Sequence, residues 1–162
     1  MQETKRERTP AIIDCNVWID LLSGNDALEK KIVEEGYPII ITSYGVVEVL
    51  RALGHIARKL KIPPGNLESK FWSFCILPSI DKQFKVPFTT SLIDEVKNTP
   101  EFRVIAKLLD MEVKDTPYIV AAFQHGACLV TQDKRSILVK KEEIKQKLGV
   151  RALTDVEFLS EK

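Results

Sequence analysis

The sequence predicts an α/β fold with a central, mostly parallel sheet, and three observations carry that prediction. Short apolar runs, AIID (11–14), IIITS (39–43) and ACLVT (127–131), fit strands buried on both faces. Longer stretches of helical period separate them. At 162 residues and 44% hydrophobic content, the chain has the size and composition of one domain with a real core, and it has no repeat, low-complexity tract or Gly/Ser linker.

Along the chain, AIID is the first strand, with Asp14 as its last residue, and a helix follows near Val17 to Leu22. A second helix, capped by Asn25 or Asp26, runs through ALEKKIVEE and stops at Gly36, a residue suited to the left-handed position past a helix end. Pro38 introduces the strand IIITS. From about Ser43 a long helix carries an apolar stripe of Val46, Val49, Leu50, Leu53, Ala57 and Leu60, while Glu48, Arg51, His55 and Arg58 share the other side. KIPPGN (61–66) and KNTPE (97–101) read as turns. NLESKFWSFCIL (66–77) predicts a helix with Phe71, Phe74 and Cys75 inward. FKVPF (84–88) is a short strand or an extended segment, since Val86 precedes a proline. Helices are expected near SLIDEV (91–96) and EFRVIAKLLD (101–110), with Pro100 in a first turn. DTPYIVAAFQHG (115–126) predicts a helix capped by Asp115 and ended by Gly126. After ACLVT come QDKRS, a Lys/Glu-rich helix (140–149), a last strand VRAL (150–153), and a short helix capped by Thr154 or Asp155.

Lys plus Arg (24) nearly balance Asp plus Glu (23), so any nucleic-acid contact has to come from local patches rather than bulk charge. Cys15, Cys75 and Cys128 are far apart and sit in apolar surroundings, which suits buried thiols in a reducing compartment without a disulfide or zinc site. The charged leader, residues 1–9, is expected to be disordered, with a single domain over 10–162. It has no apolar core of a signal peptide, and no window has the length of a membrane span, so a cytoplasmic location is expected.

Four acids stand in comparable places: Asp14 at the end of the first strand, Glu48 in the helix after the second, Asp115 at a helix start, and Asp133 just after ACLVT. In a parallel α/β sheet the carboxyl ends of strands and the amino ends of the following helices share one edge, so these acids can converge. Singly, Asp115 and Asp133 serve as helix caps, Glu48 as a solvated helix residue, and Asp14 as a turn residue. Together they repel: two carboxylates ~4 Å apart cost about 4 kcal/mol at an effective dielectric near 20, which calls for a cation. With no CxxC and no metal-spaced partner for His55 or His125, the ligands are oxygens, suiting Mg²⁺ or Mn²⁺ rather than zinc. Asp110 is an alternative third acid. A cationic rim of Arg51, His55, Lys134 and Arg135 could meet a nucleic acid; Trp18 and Trp72 could stack bases, although apolar neighbours suggest core or interface. A haloacid-dehalogenase phosphatase would want a second Asp where Asn16 stands, and a nucleotide-binding α/β protein a glycine-rich loop that CNVWID lacks.

IIDCNVWIDLL, TSYGVVEVL and KDTPYIVAAFQHGACLVTQDKRSIL resemble the PIN-domain ribonucleases, in particular the VapC-like toxins of VapBC-type toxin–antitoxin pairs and their archaeal relatives, over about residues 11–158. The resemblance implies a three-layer α/β/α sandwich and an acidic quartet at Asp14, Glu48, Asp115 and Asp133 binding one or two Mg²⁺ or Mn²⁺ ions. It further implies endoribonuclease activity, with Glu48 orienting or deprotonating the attacking water. Near the metal it places Asn16, holding the Asp14 rotamer, and Thr131, donating to a carboxylate or phosphate. In a toxin, the expected partners are RNA, a second copy in a homodimer, and a small antitoxin laying an apolar helix beside residues 45–60. The family often has a second acid beside the helix glutamate; here that residue is Val49. A housekeeping RNA-processing nuclease and a non-cleaving RNA- or protein-binding module are the alternative functions.

Overall fold

The computed structural model describes residues 8–83 and 99–162. Its sheet holds strands β1 (Ala11–Ile13), β2 (Ile39–Thr42), β3 (Ile80–Gln83), β4 (Cys128–Val130) and β5 (Ala152–Leu153), all parallel in the order β3-β2-β1-β4-β5. β1 is therefore central, with Ile12 opposite both Ile40 and Leu129. Alternate residues of each inner strand feed opposite faces, as the pleat requires. Ala11, Ile13, Ile39, Ile41, Cys128 and Val130 join one core, while Ile12, Ile40 and Leu129 join the other. This two-sided burial explains why the three strands read as continuous apolar runs.

The first face is covered by α1 (Cys15–Leu22), α2 (Asp26–Glu29), α3 (Ser43–Leu60), α4 (Pro64–Cys75) and α8 (Asp155–Leu159). The second is covered by α5 (Pro100–Leu109), α6 (Pro117–His125) and α7 (Lys141–Leu148). The result is the expected three-layer α/β/α sandwich. Among the described residues, no helix is long and apolar enough to cross a membrane.

Local chemistry sets the boundaries. Asn25 caps α2 by accepting from the Leu28 amide at 3.2 Å, and the helix continues as one wide turn over Lys30–Glu34 before Gly36 takes a φ of 60°. The Thr42 hydroxyl accepts from the Gly45 amide at 3.1 Å and opens α3. Val46, Val49, Leu53 and Ala57 are buried as the stripe predicts, Leu50 is partly so, and Leu60, the last residue of α3, is exposed. Thr154, not Asp155, caps α8, exchanging hydrogen bonds with Glu157.

Other expectations need correction. The first strand ends at Ile13, and Asp14 is the residue before α1, because α1 begins at Cys15 rather than near Val17. α4 starts at Pro64, since proline is favoured in a first helical turn. Phe71, Phe74 and Cys75 do face inward. Asp115 ends a short 3₁₀ turn (Val113–Asp115), and the cap position of α6 falls to Thr116, whose hydroxyl donates to the Val113 carbonyl at 2.7 Å. β3 went unread; FKVPF and SLIDEV lie outside the described residues. The leader is engaged earlier than expected, for Arg8 donates to the Glu35 carbonyl at 3.2 Å and the Thr9 carbonyl accepts from Tyr37 at 2.8 Å.

Trp18 is packed edge-on against Phe71, with ring centroids 5.3 Å apart, and is 1% exposed, so it is core and not a base platform. Trp72 packs against Phe71 and keeps 41% of its surface exposed. Replacing Trp18 with Ala is expected to destabilise the protein by about 3–5 kcal/mol, the usual cost of emptying an aromatic core site. Urea unfolding followed by circular dichroism measures it.

Candidate active site

Asp14 reaches its position because β1 runs out beside β4. Its amide donates to the Val130 carbonyl at 2.9 Å, carrying the strand pairing one residue beyond β1 and aiming the carboxylate at the sheet's carboxyl edge. The side chain is buried, 7% exposed, and its Oδ2 accepts from the Thr131 hydroxyl at 2.7 Å. Thr131 is itself wholly buried and its oxygen accepts from the Asp133 amide at 3.0 Å, so one hydroxyl ties the acid after β1 to the loop after β4. Burial pushes the Asp14 carboxyl up from 3.8 to about 6; the Thr131 hydroxyl and the Cys15 amide pull it down, while Glu48 and Asp133 add upward repulsion.

Asp133 holds a turn, accepting through Oδ1 from the amides of Arg135 at 3.1 Å and Ser136 at 2.9 Å. Burial raises the Asp115 carboxyl, Lys114 and Ser136 lower it, and Asp133 and Glu112 raise it. Glu48 projects from the second turn of α3 and accepts from the Tyr118 hydroxyl at 2.8 Å. Asn16 takes a part other than the one expected. Its Oδ1 accepts from the Gln132 amide at 3.2 Å, fastening α1 to the loop after β4, and the residue that fixes Asp14 is Thr131.

All four acids line one cavity of about 300 Å³, together with Cys15, Asn16, Tyr44, Lys114, Tyr118 and Ile137. Sequence reasoning had found the acids and Asn16 there. It missed Tyr44, Tyr118, Cys15 and Lys114. Asp110 is excluded from this group; it sits exposed at the left-handed end of α5 with a φ of 51°. Arg51, His55, Lys134 and Arg135 are exposed and do not line the cavity. His55 shares a contact of 3.3 Å with the Arg58 guanidinium.

Among the described residues, no ion pair reaches Asp14, Glu48, Asp115 or Asp133. The donor set is hard and anionic, offset in part by Lys114 near Asp115, and oxygen donors of this kind are what a Mg²⁺ or Mn²⁺ site needs. Its members ring the cavity; among the described residues no three acids, histidines or cysteines are gathered into a ready metal-holding cluster.

No protein-family model matches the chain, and no curated protein does. The crystal structure of PAE2754 from Pyrobaculum aerophilum is similar, with a TM-score of 0.60 and 19% identity over 94% of this chain and 93% of that one. The likeness is one of fold.

A native pKa above the unfolded value makes the site a cost to stability. Between about pH 4 and 6 the native state keeps a proton on Asp14 that the unfolded chain has lost, so stability falls as pH rises through that window. Above it the penalty is complete, at about 3 kcal/mol for a shift of roughly two units. In chelator-treated buffer at pH 7.5, Asp14→Asn is therefore expected to be about 2–3 kcal/mol more stable than the unaltered protein, with the advantage gone by about pH 4. Urea titrations at both pH values test this.

Proposed function

We propose that the protein is a metal-dependent endoribonuclease of the PIN-domain kind. The observation that carries this reading is the convergence of four carboxylates, with no ion pair to them among the described residues, on one cavity at the carboxyl edge of a parallel sheet. Asp14, Asp115 and Asp133 would hold Mg²⁺ or Mn²⁺, with Glu48 able to contribute. Once bound, the ion would supply Lewis-acid stabilisation of the phosphate and ease deprotonation of the attacking water. Glu48 takes the water's proton and orients its lone pair toward phosphorus. Thr131 keeps Asp14 turned to the cavity, and Lys114, at the rim, neutralises part of the incoming phosphate charge.

Substrate would approach along α3. Glu48, Arg51, His55 and Arg58 follow one another at spacings of three or four and so lie along one helix face, giving a basic line leading away from the acids. The part played by Lys134 and Arg135 is a flanking one on the loop after Asp133.

The toxin role, the small antitoxin partner and the homodimer follow from the resemblance to VapC-like proteins. A non-cleaving binding module is the rival reading, and the open ring of acids is the observation that favours it.

Incubation of structured RNAs with the protein and Mn²⁺ is expected to give internal cleavage that chelator abolishes. Glu48→Gln is expected to lower the rate about 10²–10⁴-fold, the range for loss of a general base. Mn²⁺ should raise the melting temperature of the unaltered protein and not of Asp14→Asn, since a ligand of the native state stabilises it. RNA binding without cleavage in all of these proteins would hand the case to the binding module. Arg51→Ala with Arg58→Ala is expected to raise KM with kcat unchanged and to flatten the salt dependence of binding.

A further inference from the structure

Glu48 is held in a way that a solvated helix residue would not need. Its Oε1 accepts from Tyr118 at 2.8 Å, a bond that joins residues 70 positions apart. Tyr118 lies in α6, packed on one face of the sheet, and Glu48 in α3, packed on the other, so the bond bridges the two helical layers beside the cavity. Tyr44, one turn before Glu48, lines the same cavity, as does Cys15 from α1. The rings of Tyr44 and Tyr118 meet edge to face, centroids 5.5 Å apart at 79°, so each ring fixes the other.

The backbone makes room for this arrangement. A Cβ added to Gly45 would stand 3.3 Å from Thr42 Oγ1 and 3.6 Å from Tyr118 Cε1. Glycine there lets the Tyr118 ring lie against the first turn of α3 while Thr42 caps it. Tyr118 is only 5% exposed, so its hydroxyl needs a partner inside the protein, and the one it has is the carboxylate. Burial and the neighbouring carboxylates raise the Tyr118 phenol well above its ordinary range, so it is a protonated donor at neutral pH.

We propose that Tyr118 is a positioning residue, a hydroxyl donor braced by the Tyr44 ring, that holds the Glu48 carboxylate in one orientation at the cavity. This rests on the nuclease reading for the task given to Glu48. A carboxylate held by a rigid phenol presents a fixed lone pair to the site, whereas a free glutamate on an exposed helix face samples several rotamers and spends part of its time pointing away.

The test uses Tyr118→Phe, made in the unaltered protein and in Glu48→Gln. Phenylalanine keeps the ring and removes the donor. Two quantities are measured: Mn²⁺ affinity by calorimetry without RNA, and kcat and KM for a cleaved RNA. Tyr118→Phe is expected to lose about 10–100-fold in kcat or Mn²⁺ affinity, the range for removing a group that orients a ligand, with KM for RNA unchanged. In the Glu48→Gln background the same change should have no further effect, because the phenol acts through Glu48. A fall of equal size in both backgrounds would overturn the clamp, since a merely structural role would persist without the carboxylate. Unchanged kcat and Mn²⁺ affinity in a protein that cleaves RNA would overturn the clamp alone. An unaltered protein that neither binds Mn²⁺ nor cleaves would overturn the nuclease reading and the clamp with it.

Discussion

The placement of β1 between β2 and β4 is the constraint on which the rest depends. The strand has three residues, every one of them paired to β4 and the first two also to β2, and each is buried in one of the two cores. A parallel strand buried on both faces has little freedom of register, because a shift of one residue would exchange the two cores. It would also draw Asp14 down into the sheet. The Asp14 amide bond to the Val130 carbonyl therefore sets where the chain leaves the sheet and where the first acid stands. The other acids are placed relative to it, Asp133 through Thr131, and Glu48 by a helix that begins directly after β2.

This arrangement trades stability for a poised site. Asp14 is more deeply buried than a carboxylate without a cationic partner would ordinarily be, and it sits within the repulsion of Glu48 and Asp133. The protein offsets part of that cost with a neutral donor, Thr131, rather than with lysine or arginine. A guanidinium there would compensate the charge more fully, and under the proposed nuclease reading it would occupy the place of a cation or a phosphate. The same choice recurs at Glu48, whose partner is the Tyr118 phenol, and at Asp133, whose partners are backbone amides. Neutral donors orient the acids and leave their negative charge available.

Much of this was legible in the sequence. β1, β2 and β4 showed as apolar runs because both of their faces are covered, and acids at the ends of such runs point to the carboxyl edge by topology alone. β3 was hidden because it is an edge strand: in IDKQ only Ile80 is buried, and Asp81 and Lys82 face solvent, so no alternation signals a strand. Asp115 looked like a helix cap because Asp-x-Pro is a common helix start, yet the extra 3₁₀ turn moved the cap to Thr116 and freed the carboxylate for the cavity. The bond from Tyr118 to Glu48 could not be read. A tyrosine in an apolar helix looks like core, and the partner that makes Tyr118 more than core lies 70 residues away.

Cys15 gives the acidic field a further consequence, for redox behaviour. Cys75 and Cys128 are buried, whereas Cys15 is only half-buried and lines the cavity, the exposure expected of an oxidisable cysteine. Burial, reinforced by Glu48 and Asp14, pushes its thiol up to about 12, so almost none of it is thiolate at neutral pH. Oxidants and alkylating agents attack the thiolate. Burial first, and the carboxylates after it, thus favour the thiol form of the sulfur at the cavity wall.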